Sequence, residues 1–148
     1  MSKKQVINKN EVAIVGGAGF VGSRLTTRFR KGNIFSNKYD IDLSNQLDKS
    51  IYLDVEDVDS LDQLAGVSTI INLAAVHRDD VRPLSRYDDV NVQGAKNVCE
   101  TARKHGVHQI IFTSSVAIYG FAPADTDESG ESNYFNDYGR TKYLAEQV

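Results

Sequence analysis

The run EVAIVGG at residues 11–17 is short, apolar and ends on two glycines, and a helical pattern begins three residues later. Phe20, Val21, Leu25 and Phe29 fall at helical spacing, with Gly32 as the stop. Gly16, Gly17, Gly19 and Gly22 therefore sit where a buried strand turns into a helix. Each glycine in such a loop has a physical task. One makes the tight turn, one lets the backbone approach a pyrophosphate, and one allows close packing of helix on sheet. The helix N-terminus then presents unpaired N–H groups and a positive dipole end to phosphates. The spacing is Gly-x-x-Gly-x-x-Gly, in the strand-to-helix setting that dinucleotide binding requires.

The remaining chain continues the alternation. Strand candidates are 38–43, 50–55, 68–75 (STIINLAA) and 108–115 (HQIIFTSS). A short acidic helix is predicted within VEDVDSLDQLAG. A long helical segment is predicted over residues 80–105, with Pro83 near its start and Gly106 past its end. A polar loop, GFAPADTDESGESN, leads to a last helix starting near Phe135. The stretch SNQLDKS has no clear pattern. Strands without polar alternation, each followed by a helix, predict a parallel sheet covered on both faces. Right-handed crossovers make it an α/β doubly wound sheet, a Rossmann fold, as one domain over residues 1–148.

Composition excludes several functions. Net charge is −3 with dispersed basic residues, which gives no nucleic-acid surface. No apolar run approaches the ~20 residues of a membrane span. The lead-in MSKKQVINKN lacks a signal-peptide core, so a cytoplasmic location is the expectation. Cys99 is the single cysteine, leaving no disulfide framework or thiolate metal site, and it reads as a small buried residue. No Asp/Glu/His spacing suggests a metal. His105 and His108 flank Gly106 and are expected to face solvent. His77 follows the fourth strand at its ligand end, and the run from Arg78 to Arg82 reads as a solvated loop.

An acid some 20 residues beyond the glycines binds adenosine ribose hydroxyls in such folds. Asp40 and Asp42 are both placed for this. Asp42 is preferred, because DLSN reads as the chain leaving its strand, and a carboxylate there disfavours a 2′-phosphate. Asp54 ends the third strand and suits the adenine amino group, or a helix N-cap. Near the C-terminus, Tyr138 and Lys142 stand four residues apart in NDYGRTKYLAEQ, on one face of a helix. A phenol has a pKa near 10 and is a weak base at neutral pH. A neighbouring ammonium favours the phenolate. Such a pair can take a proton from an alcohol as a hydride leaves its carbon.

With these motifs in order, the chain resembles the extended short-chain dehydrogenase/reductases, the NAD-dependent epimerase/dehydratase family of nucleotide-sugar enzymes. VGGAGFVG matches the family's glycine loop, with Val15 where threonine is usual. INLAA, NVQGAKNV, IIFTSSVAIYG and YGRTKYLAE match further segments. The resemblance implies NAD as cofactor. It implies cofactor contacts at Gly16, Gly19, Phe20, Val21, Gly22, Asp42, Asp54, Val55, Leu73, Ala74, Ala75, Asn91, Tyr138 and Lys142. It implies Ser115, Tyr138 and Lys142 as catalytic residues, with Tyr138 as base toward a sugar hydroxyl and Ser115 bonding the same oxygen. Dehydratases of the family carry an Asp-Glu pair after that serine. Val116 and Ala117 stand there instead, which argues against dehydration and leaves epimerase, reductase and decarboxylating types open.

Family members also have further strands and a substrate domain after the Tyr/Lys helix. The chain thus reads as the N-terminal, NAD-binding and catalytic half of a longer epimerase or reductase, with little turnover of nucleotide-sugars alone. A non-catalytic dinucleotide-binding or sensor module is the alternative. The fifth strand, Gln109 to Thr113, would be an unpaired apolar edge. That edge, or the helices of the family's dimer interface, predicts a homodimer or larger assembly.

Overall fold

A computed structural model describes residues 11–44 and 49–148. The polar lead-in and the centre of the SNQLDKS stretch lie outside the described residues. Five strands form one parallel sheet: β1 (Val12–Val15), β2 (Ser36–Asp40), β3 (Ile51–Tyr52), β4 (Thr69–Asn72) and β5 (Gln109–Phe112). Their order is β3-β2-β1-β4-β5. The order reverses direction between β1 and β4, and that switch point opens a crevice at the strands' C-terminal ends. The glycine loop lies there.

The central strands are buried on both faces. Ala13, Ile14 and Val15 of β1 and Ile70 and Ile71 of β4 are all buried, as apolar runs without alternation predict. Each such Ile or Val side chain contributes about 1.5–3 kcal/mol by leaving water. Leu53, Leu61, Leu64, Val98 and Ala102 pack with Ala13, Val15 and Ile70 into one core.

Helix α1 (Phe20–Lys31) follows the glycine loop, with Arg28, Arg30 and Lys31 in its last turn, where cations suit the helix dipole. Helix α2 (Val58–Leu61) is one turn, continued by a 3₁₀ turn over Asp62–Leu64. Its N-cap is Asp57, whose carboxylate accepts the Asp59 N–H. The long helix begins later than predicted, at α3 (Ser85–Tyr87). It passes through a π-helical stretch, Asp88–Gln93, into α4 (Gly94–His105). It ends on Gly106 at φ +66°, a left-handed position that favours glycine. Helix α5 (Asp137–Glu146) is capped by Asn136, whose side chain accepts the Gly139 N–H.

Two strands differ from expectation. β2 begins and ends earlier than 38–43, and β3 is two residues long rather than six. The Asp40 carboxylate explains the end of β2. Its Oδ1 accepts the Asp42 N–H at 2.9 Å, turning the chain out of the sheet. His105 also departs from expectation: it is half-buried, with Nε2 3.0 Å from Asp62 Oδ1, whereas His108 is exposed. Cys99 is half-buried, and burial raises its thiol pKa. β5 is an outer strand, with Ile110 37% and Ile111 44% exposed.

Candidate active site

A cleft of about 650 Å³ runs along the C-terminal ends of the strands, within the size range of small-molecule sites. Its centre is the glycine loop. Gly16 has φ +77°, and a Cβ there would lie 2.8 Å from the Ala74 nitrogen. Glycine is required both for the turn and for the close approach to the end of β4. A Cβ on Gly22 would lie 2.6 Å from Gly17 Cα, so this glycine brings α1 onto the loop. Gly19 is different. Its backbone is extended, at φ −67° and ψ 177°, and a Cβ would meet only Gly16 O, at 3.3 Å. The protein's own packing does not demand glycine at 19. The space beside it opens to the cleft, at the N-terminus of α1, where no side chain caps the helix. An uncapped helix N-terminus beside a bare backbone fits a phosphate group.

Asp40 and Asp42 both border this cleft. Asp40 Oδ2 accepts the Ala18 N–H at 2.8 Å, joining the end of β2 to the glycine loop. Asp42 is exposed, and hydrogen bonds from the Ser44 hydroxyl and then the Ser44 N–H lower its pKa. Asp54 and Val55 also line the cleft. Asp54 Oδ1 accepts the Glu56 N–H, so its carboxylate shapes the loop after β3 and does not cap α2.

Tyr138 and Lys142 come from α5 and line the same cleft. Lys142 is 2% exposed, and its Nζ lies 4.0 Å from the centre of the Phe112 ring. Burial lowers its pKa to about 8, opposed by the charge of Glu146. The ring face partly compensates the buried cation. Two polar ties fix α5 between these residues. The Arg140 guanidinium donates to both Asp88 oxygens, at 2.9 and 2.6 Å. Thr141, fully buried, accepts from the Asn91 side-chain amide at 2.9 Å.

Asn91 stands behind the cleft wall. Its amide nitrogen also donates to Val76 O, and its Oδ1 accepts the Val76 N–H. It binds the segment after β4 and α5 into one unit. Sequence reasoning set Asn91 among the cofactor contacts, but it is buried and does not line the cleft. Ser115 is likewise absent from the lining; its Oγ accepts the Ala117 N–H at 3.2 Å. Thr113 and Ser114 line the cleft there. The other expected positions, Gly16, Gly19, Phe20, Val21, Gly22, Leu73, Ala74 and Ala75, all border it, as does His77. Glu56, Arg86 and Val90 also border it. Sequence reasoning missed these three, and nothing in the spacing of their types would have singled them out. Among the described residues no His/Cys/Asp/Glu group could hold a metal ion, and no helix is long and apolar enough to cross a membrane.

Comparison with known proteins agrees with this architecture. The family model described as "NAD dependent epimerase/dehydratase family" matches residues 12–148. The chain is 46% identical over 142 residues to N-acetyl-alpha-D-glucosaminyl-diphospho-ditrans,octacis-undecaprenol 4-epimerase of Escherichia coli O157:H7, covering 94% of this chain and 42% of that protein. It is 28% identical to UDP-glucose 4-epimerase of Rhizobium meliloti, covering 96% and 47%. The solved UDP-glucose 4-epimerase from Brucella ovis, in complex with NAD, superposes with a TM-score of 0.85 at 28% identity, over 93% of this chain and 46% of that one. The chain thus spans about half the length of the curated relatives it matches. With a glycine loop at the switch point, a Tyr/Lys pair on the facing helix and this match over nearly its whole length, the chain belongs to the NAD-dependent epimerase/dehydratase family.

Proposed function

We propose that this domain binds NAD and supplies the hydride-transfer chemistry of a sugar epimerase acting on diphosphate-linked sugars. The observation that carries the reading is the placing of Tyr138 and Lys142 on the wall of the same cleft as the Gly16–Gly22 loop. The open space at Gly19 and the uncapped start of α1 suit the cofactor's diphosphate. Asp42 and Asp40 suit the adenosine ribose, and Asp54 with Val55 the adenine. Bound NAD supplies a hydride acceptor. Tyr138 takes the proton of the sugar hydroxyl. Lys142, an ammonium held in the cleft, stabilises negative charge at that end. Thr113 and Ser114 supply hydroxyls beside it, with Ser115 next along the chain. Asn91 and Thr141 hold α5 in register.

Epimerisation is favoured over dehydration because Val116 and Ala117 offer no carboxyl group for general acid/base elimination. The relatives named above act on sugars carried by undecaprenyl diphosphate or UDP, and we take the same substrate class for this chain. The test joins this domain to the C-terminal half of the Escherichia coli relative and assays 4-epimerisation of UDP-linked and polyprenyl-diphosphate-linked N-acetylhexosamine. The Tyr138→Phe form should lose several orders of magnitude in kcat with KM little changed. Equal turnover by that variant refutes the role of Tyr138. Tight NAD binding without turnover of either substrate favours the non-catalytic module.

A further inference from the structure

Glu56 and Arg86 meet at the β3 end of the cleft, 30 residues apart in sequence. Arg86 donates from both terminal nitrogens to the two Glu56 oxygens, at 2.6 and 2.7 Å. Glu56 belongs to the loop after β3, next to Asp54 and Val55. Arg86 belongs to α3, on the segment that follows β4. Both border the cleft, and both are partly exposed, at 41% and 30% of their side-chain surface for Arg86 and Glu56. Planar, two-point pairing holds both walls at a defined separation. The charge environment is lopsided. Arg86 also feels Asp89 and Asp54, so its guanidinium offsets three carboxylates around this end of the cleft.

We propose that the Glu56–Arg86 pair is a clasp across the adenosine end of the cleft, holding the β3 loop against α3 and slowing cofactor release. The proposal rests on NAD occupying this cleft. The pair acts by positioning: it sets the loop carrying Asp54 and Val55, and reacts with nothing. A clasp needs both partners, so breaking it from either side loosens the same loop. A purely electrostatic role has another signature. Arg86→Ala would weaken binding of the anionic cofactor, whereas Glu56→Gln, which removes a negative charge, would tighten it.

The experiment measures NADH release by stopped-flow fluorescence, with equilibrium affinities for AMP and for nicotinamide mononucleotide. It uses wild type, Arg86→Ala, Arg86→Lys and Glu56→Gln, each checked for native circular dichroism. The clasp predicts about fivefold faster NADH release in both Arg86→Ala and Glu56→Gln. It predicts a similar loss in AMP affinity, unchanged mononucleotide affinity, and incomplete rescue by Arg86→Lys, which lacks the planar fork. Tighter binding by Glu56→Gln overturns it, as does an equal loss of AMP and mononucleotide affinity. Unchanged release in both Arg86→Ala and Glu56→Gln also overturns it. Failure of the wild type to bind NADH refutes the cofactor reading instead.

Discussion

Two glycines in one loop should respond oppositely to the same small substitution. At Gly19 the backbone is one that any residue adopts. Alanine there limits the unfolded chain, a gain of about 0.4–1 kcal/mol. It is a poorer N-cap than glycine, a loss of about the same size. The single contact, to Gly16 O at 3.3 Å, is tight and requires that carbonyl to shift by a few tenths of an ångström. Gly19→Ala should therefore leave stability within about 1 kcal/mol, or about 4 °C in Tm for a chain of this size. At Gly16 the backbone is left-handed, at φ +77°, and the new Cβ lies 2.8 Å from Ala74 N and 2.9 Å from Leu73 C. Strain of about 1–2 kcal/mol and overpacking of about 1–3 kcal/mol together lower Tm by roughly 5–15 °C. NAD reverses the comparison. At a hundred times its Kd it stabilises the wild type by about 2.7 kcal/mol. A methyl group in the phosphate space costs about 1–3 kcal/mol, or roughly fivefold to 150-fold in Kd. Gly19→Ala should thus retain at most about two-thirds of the NAD-induced rise in Tm. Thermal melts with and without NAD, backed by calorimetric titration, measure both effects. A full NAD shift in Gly19→Ala would refute the phosphate assignment. Instability equal to that of Gly16→Ala would show that the fold itself requires glycine at 19.

Lys142 gives a pH-dependent test. Its folded-state pKa, about 8, lies below the unfolded value near 10.4, so the unfolded chain binds more protons between the two. The cost of burying the ammonium is full below pH 8 and fades as pH rises through that window. Lys142→Met should be more stable than wild type at pH 7 by about 2–3 kcal/mol, with the gap closing by pH 10.5; urea melts that show a constant gap would exclude this. Asn91→Ala leaves the Val76 N–H and C=O without their partner and removes the Asn91 bond to Thr141, whose hydroxyl keeps Asp137 O. It should lower stability by about 2–4 kcal/mol and speed Val76 amide exchange, and unchanged exchange would break the proposed link. Ile111→Lys places a charge on the exposed outer strand and should reduce self-association in sedimentation velocity. An assembly of unchanged size would assign any association to another surface. NAD should bind more tightly than NADP in calorimetry, and Asp40→Ala and Asp42→Ala, compared singly, show which carboxylate sets the preference.

Some of this protein was legible before any coordinates. The strand-glycine-helix junction, the unalternating apolar strands, the Gly106 helix stop and the Tyr138/Lys142 spacing are properties of neighbouring residues. Backbone sterics and helical period act over a few positions, so such features survive in one dimension. The doubly wound parallel sheet followed from strand–helix alternation and crossover handedness. What the sequence left open depends on contacts between distant segments. The Asp40 carboxylate meets the Ala18 N–H 22 residues away, which ties the end of β2 to the glycine loop. Asn91 looked like a cofactor ligand, but its amide is bonded to Val76 and to Thr141, 50 positions on. His105 meets Asp62 and Arg86 meets Glu56 only because helix and loop pack together. Directed hydrogen bonds and ion pairs across such separations depend on the relative placement of whole elements. Residue spacing carries no record of that placement, and only the tertiary structure decides it.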